Sequence, residues 1–152
     1  MPCALTLHEM VGVGLLTAPH VVYSCENPEV MAVALERFGV GCPPLVCTQG
    51  WPSTACVRLL RALVTGGAQI RHQGDFDWAG LRIAARLREA CGAQPWRMTA
   101  PDYLDAPEGE ALEGEPPGGL PDDLAVTARA LAARGVSVME EMLIDLLLED
   151  MS

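Results

Sequence analysis

The sequence predicts an α/β fold with a mainly parallel, four-stranded sheet and helices on both faces. Between residues 21 and 98, short apolar or β-branched runs alternate with longer segments of helical periodicity, and the loops between them are short. This alternation favours parallel strands joined by right-handed crossovers. The length of 152 residues suits one domain with its own core. We therefore expect a single domain over residues 1–152.

The first residues are expected to form a helical lead-in over 1–20. Thr6 and Glu9 have the spacing of a capping box, in which each side chain bonds the other's backbone N–H. Gly12 and Gly14 limit the length of this helix.

Four segments are predicted as strands. The first, Val21–Cys25, is rich in β-branched and aromatic residues. The others are 45–48, 69–73 and, as the fourth strand, 95–98.

Helices are predicted between these strands and after them. The first begins at Pro28 and ends before Gly39. The second follows Ser53 as N-cap and is expected to turn five side chains toward the sheet: Ala55, Leu59, Leu60, Leu63 and Val64. The third covers 79–90. The C-terminal segment 121–152 is predicted to hold two further helices, and Ser137 and Glu140 are interpreted as a capping box for the last one.

The segment 105–120 differs in composition from the rest of the chain. It holds five acids, several Gly and Pro residues and no base. Because it has little apolar surface to bury, we predict a mobile acidic loop.

The overall charge limits the classes of function. The formal net charge is −10, with twenty acidic and ten basic residues, and the chain contains no lysine. A protein that binds nucleic acid through bulk charge would be basic, so any DNA contact is expected to be local, metal-mediated or supplied by other domains or subunits. No run approaches the roughly 20 apolar residues of a membrane span. The first twenty residues lack a secretory pattern and the six cysteines form no C-x-x-C pair, so a reducing cytoplasm is expected.

Three carboxylates follow predicted strands. Glu26 comes directly after the first strand, and Asp75 and Asp77 follow the third, with Gly74 permitting a sharp turn. In an open α/β sheet, ligands bind beyond the carboxyl ends of the strands. Hard cations such as Mg²⁺ take oxygen ligands, and two or three carboxylates suffice. We therefore predict that Glu26, Asp75 and Asp77 meet and hold a divalent metal.

Simpler interpretations exist for each of these residues. Asp77 has the position of an N-cap for the third helix, and Glu26 is a plausible solvated loop acid. His72 is interpreted first as a packed, hydrogen-bonded residue and second as a catalytic one. Arg71 and Arg82 suit either phosphate contacts or pairing with nearby acids.

Other side chains favour structural roles. Trp51 and Trp78 are predicted to pack rather than to stack on bases, and Glu140 to cap the last helix in solvent. No Ser-His-Asp or Cys-His arrangement is visible in the sequence.

The sequence differs from the patterns of three other classes of protein. An aspartyl phosphatase carries its Asp-x-Asp on the first strand and uses a phosphate-binding Lys, whereas here the pair follows the third strand. A nucleotide-sugar transferase needs a larger chain. A dinucleotide-binding domain needs Gly-x-Gly-x-x-Gly after the first strand, where this chain has Cys-Glu-Asn-Pro-Glu-Val.

The order and spacing of the acidic turns resemble the Toprim domain of topoisomerases and primases. Three motifs resemble more closely the C-terminal Toprim domain of JetD, the nuclease subunit of Wadjet-type plasmid defence systems, which is similar to the topoisomerase VI A subunit. They are Cys-Glu-Asn-Pro (25–28), Leu-Val-Cys-Thr-Gln-Gly-Trp-Pro (45–52) and Gly-Asp-Phe-Asp-Trp-Ala-Gly (74–80).

The resemblance implies a metal-dependent DNA endonuclease module in plasmid defence. It implies that Glu26, Asp75 and Asp77 are catalytic and bind Mg²⁺ or Mn²⁺, and that Gly50 forms the tight turn beside the site. It also implies an SMC-like partner complex, DNA contacts made through other domains or subunits, and a homodimer as one arrangement. The alternative left open is a non-catalytic assembly or regulatory domain, and a third interpretation is a small-molecule phosphatase.

Overall fold

The computed structural model describes residues 20–152, and the predicted lead-in helix before them lies outside the described residues. The strands are β1 (Val21–Cys25), β2 (Leu45–Cys47), β3 (Gln69–His72) and β4 (Gln94–Pro95). The helices are α1 (Pro28–Phe38), α2 (Thr54–Thr65), α3 (Trp78–Cys91), α4 (Ala100–Asp105), α5 (Asp122–Arg134) and α6 (Ile144–Met151), with short 3₁₀ turns at Gly39–Gly41 and Glu140–Leu143.

The four strands form one parallel sheet in the order β2-β1-β3-β4. Successive side chains of a strand point to opposite faces, and a separate apolar cluster covers each face. Val22 and Ile70 pack with side chains of α2 and α3, whereas Cys25 packs with side chains of α1, α5 and α6. The predicted α/β fold with a parallel four-stranded sheet is therefore confirmed.

The ends of several elements differ from the prediction. β2 and β3 each end one residue early, and β4 covers Gln94–Pro95 instead of 95–98. Trp96 and Met98, which were predicted as strand residues, are buried beside the sheet.

Helix α2 turns Leu59, Leu60 and Leu63 toward the sheet as predicted, whereas the prediction for Ala55 and Val64 is wrong. Val57, Leu60 and Leu63 are buried, whereas Ala55 is exposed and Val64 is 37% exposed. With 3.6 residues per turn, Ala55 lies about 140° around the helix from Leu60 and so faces solvent.

The acidic segment 105–120 is irregular after the end of α4. Leu112 N–H donates to Gly135 O (2.9 Å) and Ser137 N–H to Glu110 O (2.7 Å), which joins the segment to the chain between α5 and the last 3₁₀ turn. The predicted capping box is wrong, because the Ser137 hydroxyl donates to the Glu110 carbonyl and Glu140 is buried elsewhere. That the segment is mobile stays a prediction. Among residues 20–152, no helix is long and apolar enough to span a membrane.

Candidate metal centre

The candidate site lies where β1 and β3 end side by side. From β1 the chain crosses to β2 on one side of the sheet, and from β3 it crosses to β4 on the other. This change of direction opens a crevice at the carboxyl ends of the two strands, the usual ligand position in such sheets. Glu26 and Asp75 follow these two strands, so the topology brings them to the crevice.

A hydrogen bond joins the two acidic turns directly. The backbone N–H of Asp75 donates to Glu26 Oε2 at 3.1 Å. Gly74 permits this approach because it has no side chain: a Cβ there would lie 2.7 Å from Glu26 Oε2 and 3.3 Å from His72 Nε2. Gly74 thus leaves room for the Glu26 carboxylate at its observed position, and its backbone is not left-handed.

Asp77 serves as the N-cap of α3. Its Oδ1 accepts from the backbone N–H of Gly80 at 2.6 Å, which satisfies a donor that the helix leaves unpaired. Gly80 is needed here, because a Cβ on it would overlap the carbonyl oxygen of Asp75. The N-cap interpretation of Asp77 is confirmed, and its second oxygen has no hydrogen bond among residues 20–152.

Phe76 holds the loop between the two aspartates against the C-terminal part of the chain. It is fully buried, and its backbone exchanges two hydrogen bonds with Val138, at 2.8 and 3.1 Å. Its ring packs against Tyr103 with the centroids 5.2 Å apart. Because side chains alternate along this extended loop, burial of Phe76 turns Asp75 and Asp77 to the opposite face of the loop.

Glu140 is a fourth carboxylate in the site. The prediction that it caps the last helix in solvent is wrong. Its side chain has no exposed surface. Oε1 accepts from the backbone N–H of Asn27 at 2.8 Å, and Oε2 from that of Glu26 at 3.1 Å. The backbone N–H of Glu140 in turn donates to Asp75 Oδ1 at 2.7 Å. One residue thus fixes both acidic turns.

The electrostatics of the cluster favour bound protons or a cation. Burial, followed by repulsion from Asp75, raises the pKa of Glu26 to about 7. Burial is also the main cause that raises the pKa of Glu140 to about 8 and that raises the pKa of Asp75. Of the salt bridges formed within residues 20–152, none includes these acids. The negative charge at the sheet edge therefore has no basic partner in the described chain.

The donor set suits a hard divalent cation, because the three predicted ligands offer only carboxylate oxygen. Each uses one oxygen to accept a backbone N–H and keeps the other without a hydrogen bond to the described residues. Within residues 20–152, no three His, Cys, Asp or Glu side chains are already arranged around a common metal position. Metal binding would therefore require these side chains to rotate toward one another.

The other predicted site residues have different surroundings. His72 is buried, its Nδ1 lies 2.9 Å from Ser24 Oγ, and burial lowers its pKa to about 3. Its interpretation as a packed, hydrogen-bonded residue is confirmed. Arg71 lies in β3 and acts electrostatically on Asp150 of α6, whose pKa it helps to lower. Arg82 lines a cavity of about 550 Å³ together with Asp77, and its Nη2 donates to Glu115 O at 2.9 Å.

The two tryptophans beside the site differ in exposure. Trp78 is 6% exposed, as predicted for a packing residue, whereas Trp51 is 61% exposed, so the prediction for Trp51 is wrong. Gly50 precedes Trp51 beyond the carboxyl end of β2 and has φ +82°, a left-handed conformation that suits the predicted tight turn.

A comparison with family models finds one match over most of the chain. The model described as "Protein of unknown function C-terminus (DUF2399)" matches residues 3–151. A comparison with curated proteins gives no match.

Proposed function

The chain belongs to the DUF2399 family of C-terminal domains, and we propose that it is the metal-dependent, Toprim-like catalytic module of a DNA endonuclease. Its resemblance to the JetD nuclease subunit extends the proposal to plasmid defence with an SMC-like partner complex. The observation that carries the proposal is the meeting of Glu26 with the Asp75–Asp77 turn at the switch point of the sheet.

In the proposed mechanism, Glu26, Asp75 and Asp77 would hold Mg²⁺ or Mn²⁺. The bound ion would supply charge stabilisation at the scissile phosphate and a water of lowered pKa. Glu140 positions two of the ligands: its carboxylate accepts from the backbone N–H of Glu26, and its own backbone N–H donates to the side chain of Asp75. Phe76 anchors the loop that carries the two aspartates, through its backbone bonds to Val138.

Hydrolysis by water fits this chain better than attack by a tyrosine. The chain has two tyrosines. The Tyr103 hydroxyl is bonded to Val136 O at 2.6 Å and its side chain is fully buried. The Tyr23 hydroxyl is engaged as a donor to Asp150 O of α6 at 3.3 Å. Neither phenol is presented to a phosphate at the crevice.

A non-catalytic assembly domain is the second candidate. It is favoured by the hydrogen bonds that engage one oxygen of each acid and by the lack of a ready metal geometry in the described residues. In this case the carboxylates would only fasten the turns to each other.

Manganese binding separates the two candidates. We expect crystals soaked in Mn²⁺ to show an anomalous peak between Glu26, Asp75 and Asp77, and millimolar Mn²⁺ to raise the melting temperature. At a concentration of 100 Kd, binding adds about 2.7 kcal/mol to the free energy of unfolding. Glu26→Gln and Asp75→Asn should abolish the increase, whereas Glu36→Gln, at an exposed acid of α1, should keep it. A folded protein that shows neither peak nor stabilisation would favour the assembly domain.

A further inference from the structure

Trp51 lies at the centre of an arginine-rich surface. Its side chain is 61% exposed, whereas the other two tryptophans, Trp78 and Trp96, are 6% and 5% exposed. A large aromatic side chain left in solvent forgoes the favourable free energy of burial. We define the Trp51 surface as Trp51, Arg58, Arg82 and Arg86.

Two neighbouring cavities meet at this tryptophan. One, of about 480 Å³, lies between α3 and residues 117–121, and Arg82, Arg86 and Arg88 line it. The other, of about 340 Å³, lies beside α2, and Arg58, Arg61 and Arg86 line it. Trp51 and Arg86 belong to both. Five of the ten basic residues in a chain of net charge −10 therefore surround one exposed ring.

Some of these arginines are already engaged. Arg88 forms a salt bridge with Asp123 at 2.7 Å, and Arg61 Nε donates to Ala90 O at 2.8 Å. The acid on this side of α3, Glu89, lies 4.0 Å from Arg86, a long contact between exposed groups that contributes little.

Two arginines of this surface form no salt bridge with the described residues. Within the described chain, Arg58 takes part in no salt bridge, and Arg82 donates only to the backbone carbonyl of Glu115. The Trp51 surface thus carries a local positive charge on an acidic protein.

The surface continues to the candidate metal centre. Arg82 lines both the cavity of about 480 Å³ beside Trp51 and the cavity of about 550 Å³ that contains Asp77. Arg86 lies nine positions after Asp77, the N-cap of α3, and at 1.5 Å per residue this spans roughly 14 Å. The acids Glu110, Glu113 and Glu115 line only the cavity nearest Asp77, whereas residues 117–121 beside Trp51 carry no charge.

We propose that the Trp51 surface binds a single-stranded segment of DNA, with one base stacked on Trp51 and phosphates on Arg58, Arg82 and Arg86. The inference rests on the proposed function and adds the path by which the strand reaches the acids. An aromatic ring can stack only on a base that is free of its duplex neighbours. Guanidinium groups bind phosphate oxygens through two parallel hydrogen bonds. The arginines around Trp51 therefore indicate a ligand that carries phosphate as well as a base.

The test is a titration of the full chain with fluorescein-labelled oligo(dT) in EDTA, read by anisotropy at several salt concentrations. Without metal, binding is measured apart from cleavage and from the metal site. We expect Trp51→Ala to weaken binding about tenfold, because stacking contributes roughly 1–3 kcal/mol per base. Arg58→Gln and Arg86→Gln should each reduce the slope of log K against log salt by about 0.7.

Controls distinguish this surface from general charge. Arg129→Gln, at an exposed arginine of α5 outside these cavities, removes the same charge and should leave affinity and slope unchanged. Unlabelled oligo(dT) should also quench the intrinsic fluorescence, since Trp51 is the exposed tryptophan. Glu26→Gln should bind DNA undiminished, so that failure of the metal site and failure of this surface give different results.

The proposal would be overturned by no binding of the folded protein at low salt, by equal affinity of the wild-type and Trp51→Ala proteins, or by an equal loss in Arg129→Gln. Displacement of the oligonucleotide by an equimolar amount of inorganic phosphate would show a simple anion site and would also overturn it.

Discussion

Glu140 and Glu26 are joined through the backbone: both carboxylate oxygens of Glu140 lie within 3.2 Å of the Glu26 amide nitrogen. The Glu140 amide also donates to Asp75 Oδ1 at 2.7 Å. A buried acid thus fastens the turn after β1 to the turn after β3. This arrangement places three carboxylates close together, an unfavourable interaction that a cation or bound protons would relieve.

We predict that Glu140→Ala lowers the free energy of unfolding by about 2–4 kcal/mol. The change leaves the amides of Glu26 and Asn27 without their acceptor, and each unpaired buried group costs about 1–3 kcal/mol. Glu140→Gln keeps one acceptor oxygen and should lose less. Urea denaturation measures both variants. Glu141→Ala, at the exposed neighbouring acid, is the matched control, and an equal stability of the two alanine variants would contradict the anchoring role.

The buried acids predict that stability in EDTA falls as the pH rises toward 8. The pKa values of Glu26 and Glu140 increase from 4.5 in the unfolded chain to about 7 and about 8. Between the unfolded pKa of 4.5 and the folded pKa of about 8, the folded state therefore binds more protons than the unfolded chain. The stability that this provides is lost as Glu26 and Glu140 ionise.

His72 acts in the opposite direction at lower pH. Its pKa decreases from 6.5 to about 3 on burial, so its contribution is lost as the pH falls below 6.5. Comparison of wild type with the Glu26→Gln/Glu140→Gln protein between pH 6.5 and 8.5 removes the contribution of His72, which both proteins share. We expect the double variant to gain relative stability with rising pH. A constant difference across the window would show that the two acids ionise normally.

Gly80→Ala should destabilise the domain by roughly 1–3 kcal/mol, the usual cost of overpacking. A Cβ at this position would overlap the Asp75 carbonyl oxygen, so the Asp75–Asp77 turn must shift. Gly118→Ala is the control, since a Cβ there meets nothing within 4 Å. Denaturation curves compare the two, and Mn²⁺ titration tests whether the shift also weakens metal binding. A Gly80→Ala protein as stable as the Gly118→Ala protein would show that the turn can move freely.

Much of the fold follows from short-range patterns in the sequence. β1 is recognised by its β-branched residues, and α3 by the spacing of four residues that are all buried: Leu81, Ile83, Ala84 and Leu87. Ser53 and Asp77 are N-caps, as their positions suggest. These features depend on neighbours within a few residues, which a single sequence displays.

The predictions that were wrong concern contacts between distant parts of the chain. Glu140 has the spacing of a capping residue, yet its partners lie 113 and 114 residues away. The exposure of Trp51 depends on how α2 and α3 pack beside it. A composition rich in acids and glycine likewise does not reveal that Glu110 and Leu112 bond the chain near Gly135 and Ser137.

The bond between Glu140 and the turn after β1 also determines when the site can form during synthesis. The sheet ends at Pro95, so a growing chain can pair its strands before residue 140 has been made. Contacts of such long sequence separation form slowly, because the intervening chain must first be ordered. A nascent chain, or one cleaved after Gly135, would lack the anchor of both acidic turns. Any activity at these turns would therefore arise only after translation has passed residue 140.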